Sequence, residues 1–313
     1  MKRDLLTLDD VTRPELETLL QSAARLKDYL KRGVPHRFLE GRTLGMIFKK
    51  PSSRTRVSFE IGMFQMGGLA LFLNNHDLGM GVRESVADIG RLFSRYVDGI
   101  VIRTFAHEEV EELARYATIP VINGLTDLHH PCQILADLLT IQEKFGRCEG
   151  VKLAWVGDGN NVANSWLQGA AKMGMHLALA CPKGYWPRAE LVRKYQEEAA
   201  ANGGSVEIME DPFQAVKGSD VIYTDVWVSM GQETERRWRL EVFQSYQVNQ
   251  TLLAAAKPTT LVMHCLPAHR GEEITAEVID GPQSIVFDHA ENRLHTQKAV
   301  LHFLLDRRQN RHE

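Results

Sequence analysis

Short apolar runs alternate with amphipathic segments of helical length from one end of the chain to the other. Runs such as TLGMIF and KLAWV are too short for helices and almost continuously apolar, as strands buried on both faces are. Ten strands are predicted on this basis: Thr43–Phe48, Leu69–Leu73, Gly99–Ile102, Pro120–Ile122, Lys152–Val156, His176–Ala180, Val206–Met209, Val221–Thr224, Leu261–His264 and Ser284–Phe287. Between them, Val57, Ile61 and Phe64 share one helical face, as do Ile134, Leu138, Ile141 and Phe145, because i, i+4, i+7 spacing returns side chains to one side. Strands alternating with helices predict the α/β class, here two doubly wound domains with mostly parallel sheets, joined by helices, since ten strands suit two sheets better than one. Gly146 and Gly150 interrupt the pattern and mark the boundary. Residues 1–147 form one domain, completed by a C-terminal helix over 291–313 with Leu294, Leu301 and Leu305 on one face; residues 148–290 form the other.

A length of 313 residues agrees with two domains that each bury a core. The composition, 44% hydrophobic and 25% charged with a net charge of −3, is that of a soluble globular protein. It offers no overall basic field for nucleic acid, so any anion site is local. No run approaches the roughly 18 apolar residues of a membrane span, and MKRDLLTLDD lacks the apolar core of a signal peptide. Cys132, Cys148, Cys181 and Cys265 lie far apart with no C-x-x-C pair, which argues against a disulfide framework and a structural zinc site. The expected compartment is therefore the reducing cytoplasm. His129 and His130 are adjacent rather than at helical spacing, and no metal is expected.

Six segments carry candidate chemistry. KKPSSRTRV, Lys49 to Val57, sits at a strand-to-helix corner, where free backbone N–H groups point at any anion. Ser52, Ser53 and Thr55 add hydroxyls there, and Arg54 and Arg56 add guanidinium forks that match phosphate oxygens. A simple N-cap beside a solvated arginine face would use the same residues. In DLHHPCQILADLL, Pro131 opens a helix whose first turn presents His130 and Gln133. A histidine at that position stays neutral and can donate to a carbonyl oxygen, or it merely caps or packs. Arg103 ends an apolar strand at its carboxyl end, where ligands of open α/β sheets collect. VGDGNNVANS is a strand, a Gly-Asp-Gly turn and a helix start, but Val162 stands where a dinucleotide fingerprint needs glycine, which disfavours a nicotinamide cofactor. Asn160 and Asn161 suit a polar small molecule or an N-cap. Asp225 ends the strand of YTDVWVSMG and can pair with an ammonium group beside Ser229, and Gln232 to Arg239 reads as a mobile loop. In LVMHCLPAHRGEE the strand runs into His264, Cys265, Leu266 and Pro267, and Arg270, Glu272 and Glu273 form a charged corner.

In this order and at these separations, the six segments resemble the aspartate/ornithine carbamoyltransferase family over nearly the whole chain. Ser52-Ser53-Arg54-Thr55-Arg56 and His130-Pro131-Cys132-Gln133 are similar to the family's carbamoyl phosphate motifs, and Asp225 to Gly231 and His264 to Pro267 to those of its ornithine branch. The resemblance implies a carbamoyltransferase that needs no cofactor, with carbamoyl phosphate and L-ornithine as its partners. It implies that Ser52, Ser53, Arg54, Thr55 and Arg103 hold the phosphate while His130, Gln133, Cys265, Leu266 and Arg293 address the carbamoyl end. It implies that Asn161, Asp225, Ser229 and Met230 bind ornithine, and that Arg54, Arg103, His130, Cys265 and Asp225 take part in catalysis. A homotrimer, or a multiple of trimers, is implied as well. Two positions depart from the family pattern. Ser53 replaces the usual threonine, and Gly79 stands where a glutamine or histidine ordinarily reaches carbamoyl phosphate from a neighbouring subunit, with Arg83 close enough in sequence to substitute.

Overall fold

The computed structural model describes residues 2–74 and 78–306. It divides into two compact units, Met1–Leu139 with Glu291–Glu313, and Thr140–Ala290. Nine strands occur among the described residues: β1 Thr43–Phe48, β2 Leu69–Asn74, β3 Gly99–Arg103, β4 Val121–Leu125, β5 Lys152–Val156, β6 His176–Ala180, β7 Ser205–Met209, β8 Val221–Thr224 and β9 Leu261–His264. The first unit holds a sheet of order β2-β1-β3-β4 and the second one of order β7-β6-β5-β8-β9. Every strand pairing in both is parallel. The interior strands are apolar because parallel sheets are covered on both faces; Leu44, Met46, Ile47, Ile100, Val101 and Ile102 are all fully buried.

The tenth predicted strand does not form. Val262 of β9 donates to the Gln283 carbonyl at 2.8 Å and accepts from the Ile285 amide at 3.0 Å, a single bridge at the sheet edge. The chain then enters a helix, Val286–Leu305, that starts five residues earlier than the 291 expected from its leucine spacing. The β-branched Ile285 and Val286 gave the segment its strand character, yet they lie on the turn into the helix and its first residue. Residues 307–313 of the predicted C-terminal helix lie outside the described residues.

The helix Ser53–Gln65 turns the opposite way from its pattern. Phe59, Gly62 and Met63 face inward, whereas Val57, Ile61 and Phe64 are 53%, 40% and 75% exposed. Gly62 makes the inward packing possible, since a Cβ there would stand 3.2 Å from Lys298 Cγ on the C-terminal helix. The neighbouring edge strand β2 exposes Leu69 and Leu71, so an apolar surface continues from helix to sheet edge. Among the described residues no helix is long and apolar enough to cross a membrane.

Each sheet reverses its winding once, between β1 and β3 in the first unit and between β5 and β8 in the second. Crevices form beyond the carboxyl ends of strands at such a point. The corners after β1, β3 and β4 and those after β5, β8 and β9 carry all the predicted motif residues except Arg293, which belongs to the C-terminal helix.

Candidate functional site

In the first unit, Ser52 is extended and its Oγ accepts from the Thr55 amide at 3.3 Å, capping the helix Ser53–Gln65. The other amides of that first turn remain available to an anion, which the positive end of the helix also favours. Ser53 lies exposed on the first turn. Arg54 and Arg56 do not act together as the sequence suggested. A rotation of about 100° per residue sets them on different faces. Arg56 Nε donates to Glu60 at 3.0 Å and its guanidinium lies 3.8 Å from the centre of the Phe72 ring, so Arg54 is the fork left at the corner.

Thr55, by contrast, is buried and joined to the C-terminal helix. Its Oγ1 accepts from Arg293 Nη2 at 3.0 Å, Arg293 Nη1 donates to Gln133 Oε1 at 2.6 Å, and Gln133 Nε2 donates to Asp137 Oδ1 at 2.9 Å. The four side chains form one buried chain across three helices. Arg293 fixes this polarity, because a guanidinium only donates and so selects the amide oxygen of Gln133, leaving the nitrogen for Asp137, a partner that no sequence motif marked. Its place four residues after Gln133 on one helix was the available signal. Gly124 lets β4 lie close to β3, since a Cβ there would stand 3.2 Å from the Ile102 carbonyl and 3.2 Å from Val101 Cγ1, while Thr55 Cγ2 would sit at an ordinary 3.6 Å.

Arg103 ends β3, buried, where the register with β4 slips from Ile102↔Asn123 to Arg103↔Leu125. His130 precedes the helix Pro131–Phe145 and is 5% exposed. Burial, followed by the charges of Arg293, Arg103 and Arg54, holds its pKa well below the ordinary imidazole value. The ring is therefore neutral, through desolvation and three guanidinium groups rather than a helix end alone. Three cations gathered about an uncharged donor give the corner a local positive field, and guanidinium forks can meet phosphate oxygens two at a time.

At Gly79, φ is +66°, a conformation that suits glycine. A Cβ there would lie 2.8 Å from Arg83 Nε, so the Arg83 side chain occupies the space that a glutamine or histidine at 79 would need. The Arg83 amide donates to the Gly79 carbonyl at 2.7 Å and fixes the turn.

In the second unit three corners converge on Asp225. Asn160 caps the helix Asn161–Lys172, with Oδ1 accepting from the Val162 and Ala163 amides, and its Nδ2 donates to Asp225 Oδ2 at 2.7 Å. Asp225 Oδ1 accepts from its neighbour's amide, Val226, and from Cys265 Sγ, both at 2.8 Å. Asn160 is the asparagine that touches Asp225, and Asn161 opens the helix beside it, half-buried. Ser229 donates its amide to Gln232 Oε1 at 3.0 Å, and Met230 is 42% exposed on the same loop.

Leu266 has φ of +57°, an unusual conformation for a branched residue, and its amide donates to His264 Nδ1 at 2.9 Å. His264 Nε2 faces Glu273 Oε1 at 3.1 Å, and both residues are fully buried. Because Nδ1 accepts, Nε2 carries the proton and donates to the carboxylate. Asp225, His264 and Cys265 bring donor atoms within 4.8 Å of one another, but both His264 nitrogens are already engaged by Leu266 and Glu273.

Arg239, expected in a mobile loop, is buried on the helix Arg236–Phe243 and ties the preceding segment to it. Nη1 donates to Asp158 Oδ2 at 2.8 Å and to the Trp227 carbonyl at 3.0 Å, and Nε donates to Glu235 at 2.9 Å. Burial raises the Asp158 pKa to about 6 although Arg239 pulls it down. The Gly-Asp-Gly turn is closed to a dinucleotide: a Cβ at Gly159 would lie 2.5 Å from the Tyr185 carbonyl and 2.5 Å from Pro187 Cδ, so another chain segment covers the position where a pyrophosphate would approach.

Comparison with known proteins matches two family models. "Aspartate/ornithine carbamoyltransferase, carbamoyl-P binding domain" covers residues 3–143, and "Aspartate/ornithine carbamoyltransferase, Asp/Orn binding domain" covers residues 149–304. A curated protein of Thermococcus kodakarensis named ornithine carbamoyltransferase is 56% identical over 299 residues, 96% of this chain and 95% of that protein. One of Pyrococcus furiosus, named ornithine carbamoyltransferase, anabolic, is 55% identical over 299 residues, 96% of this chain and 95% of that protein. A solved structure of ornithine carbamoyltransferase from Pyrococcus furiosus superposes with a TM-score of 0.95 at 54% identity, covering 97% of each chain.

Proposed function

The chain belongs to the aspartate/ornithine carbamoyltransferase family, and we propose that it transfers the carbamoyl group of carbamoyl phosphate to the side-chain amine of L-ornithine, giving L-citrulline and phosphate. The observation that carries this reading is that each unit holds a charged centre at its own switch point: guanidinium groups around neutral His130 in one unit, and Asp225 bonded to Asn160 and Cys265 in the other. Residues 1–147 with 291–313 bind carbamoyl phosphate, and residues 148–290 bind ornithine.

Ser52, Ser53, Arg54, Thr55 and Arg103 hold the phosphate and stabilise the charge that grows on it as it leaves. His130, as a neutral donor, and Arg293, oriented by Gln133, face the carbamoyl oxygen, where the tetrahedral intermediate places its negative charge. Cys265 and the Leu266 backbone contact the carbamoyl group. Asn161, Asp225, Ser229 and Met230 hold the amino-acid portion of ornithine. An alkyl ammonium has a reference pKa of ~10.4, so attack requires the loss of a proton. Cys265 accepts it as the thiol passes its own proton along the existing hydrogen bond to Asp225, which leaves the thiol unchanged and the carboxyl protonated; the second proton, lost by the nitrogen once it is bonded to the carbamoyl carbon, leaves on the phosphate, and Asp225 releases its proton to solvent as the products depart.

The protein assembles as a homotrimer or a multiple of trimers, a reading supported by the apolar surface of Val57, Ile61, Phe64, Leu69 and Leu71. Arg83 supplies to the anion the contact that Gly79 lacks. The four free cysteines agree with a reducing cytoplasm. The test is to incubate the protein with carbamoyl phosphate and ornithine, putrescine or aspartate, following phosphate release and the ureido product. Turnover with ornithine alone is expected, and Arg54→Ala abolishes it in a folded protein. Equal turnover with putrescine would refute recognition of the amino-acid portion, and full activity in Arg54→Ala would refute the phosphate assignment.

A further inference from the structure

Lys49 and Lys50 open the cationic corner after β1, yet each ammonium is engaged by an acid. Lys49 Nζ stands 2.6 Å from Glu109 Oε1, and Glu109 Oε2 accepts from the Thr104 hydroxyl. Glu109 lies in the first turn of the helix His107–Tyr116, just beyond the corner that follows β3. The Lys49 amide donates to the Arg103 carbonyl at 2.8 Å and extends the β1–β3 ladder past the strand ends. Lys50, only 4% exposed, pairs with Asp127 in the corner after β4, and its ammonium lies 4.3 Å from the centre of the Phe105 ring.

The geometry points to Lys49 and Lys50 as positioning residues of the carbamoyl phosphate site: they brace the corner after β1 against those after β3 and β4 and are not ligands of the anion. The inference rests on the reading of that site given above. The braced corners are the ones that carry Ser52 to Thr55, Arg103 and His130. The corners after β3 and β4 are tied by backbone bonds, from the Thr104 amide to the Leu125 carbonyl at 3.1 Å and from the Asp127 amide to the Phe105 carbonyl at 2.9 Å, and the two lysine side chains extend that bracing to the corner after β1, whose donors must stay in register with theirs for one small ligand. Glu109 also neutralises Lys49, so the field at the cradle comes from the arginines. The Thr104 hydroxyl accepts as readily as it donates, so a reversed pair keeps both contacts.

That reversal supplies the test. Wild type, Glu109→Gln, Lys50→Met and the double variant Lys49→Glu/Glu109→Lys are titrated calorimetrically with carbamoyl phosphate and with inorganic phosphate, and KM is measured for both substrates. Glu109→Gln and Lys50→Met are expected to weaken both anions about three- to fivefold, the scale of a half-buried ion pair, and to leave KM for ornithine unchanged. The reversed pair returns anion binding to within about twofold of wild type. Tighter or unchanged anion binding in Glu109→Gln would overturn the inference, because a freed Lys49 would then be acting as a ligand or not at all. Loss of binding in the reversed pair beyond that of Glu109→Gln would overturn it too. A wild-type chain that bound neither anion would overturn the reading of the site and the brace with it, whereas a binding wild type with unmoved variants overturns the brace alone.

Discussion

Replacing Arg239 by glutamine removes the charge that faces Asp158 and the tie between the two ends of the loop carrying Ser229 and Met230. The pair is desolvated, with side chains 7% and 9% exposed, and deleting one partner of such a pair commonly costs about 3–5 kcal/mol. Here the loss is smaller near neutrality, because Asp158 can escape by taking up a proton. With Arg239 present its pKa is about 6, against 3.8 for an unperturbed aspartate, burial being the larger cause and the arginine opposing it. In the variant the folded-state pKa rises further, so it forgoes the stabilisation that wild type gains by ionising Asp158 above its pKa of about 6, about 1 kcal/mol at pH 7.

The sign follows from proton counting. Wherever the variant's folded state holds a proton that the unfolded state has lost, its stability falls as pH rises. The deficit from Asp158 relative to wild type is thus near zero below pH 6 and grows by about 1 kcal/mol for each pH unit above it while the variant keeps its proton, on top of a pH-independent loss of about 1 kcal/mol from the Trp227 and Glu235 contacts. Urea denaturation of both proteins at pH 5.5, 7 and 8 measures it. A looser loop should also raise KM for ornithine about tenfold while KM for carbamoyl phosphate stays put. A deficit that does not change between pH 5.5 and 8, or a rise confined to KM for carbamoyl phosphate, would refute the account.

Two further outcomes are expected. Lys298 is fully buried among the Leu26 carbonyl, Gln65 Oε1 at 3.0 Å and His36 Nε2 at 3.2 Å, and burial lowers its pKa from 10.5 to about 8. Because the unfolded chain holds the proton longer, wild-type stability should rise relative to Lys298→Met by up to about 3 kcal/mol between pH 8 and 10.5, and a flat difference in denaturation would contradict this. Phe64→Glu places a charge on the most exposed part of the apolar surface and should shift sedimentation of the proposed trimer toward monomer; sedimentation identical to wild type would show that this surface is not an interface.

Family membership and the parallel α/β architecture were legible because both rest on local pattern. A short apolar run followed by a polar corner gave β1, β5, β6, β8 and β9 with their bounds, and the motif residues sit on the corners that follow the strands. What escaped was anything decided by tertiary contact. The spacing put Val57, Ile61 and Phe64 on one face without saying what covers it; Gly62 lets the opposite side approach Lys298, and only the packed structure reveals which side is covered. Ser284–Phe287 had strand composition and one strand-like bridge, yet the continuing helix claims Val286 and Phe287. Arg56 looked equivalent to Arg54 until Glu60 and Phe72 took it. Asp137, Glu109 and Asp158 act through partners 4, 60 and 81 residues away, and of these only the first spacing is readable along a helix.

The two charge centres also bear on which amine the site accepts. An aspartate acceptor would bring two carboxylates and call for cations to meet them. Around Asp225 the hydrogen-bond donors are the Asn160 amide, the Val226 backbone and the Cys265 thiol, all neutral, and the nearby Arg239 already serves Asp158, Glu235 and the Trp227 carbonyl. A second carboxylate placed there would meet Asp225 at close range, where like charges in a poorly solvated crevice repel by several kcal/mol. An amine-bearing amino acid meets the reverse: a carboxylate whose oxygens are held in fixed directions by three donors, with the thiol proton already aligned to move. Asp225→Asn should therefore abolish turnover with ornithine and, by removing the repulsion, raise the trace occupancy by aspartate measured in competition. An Asp225→Asn protein that kept full ornithine turnover would place the amine elsewhere.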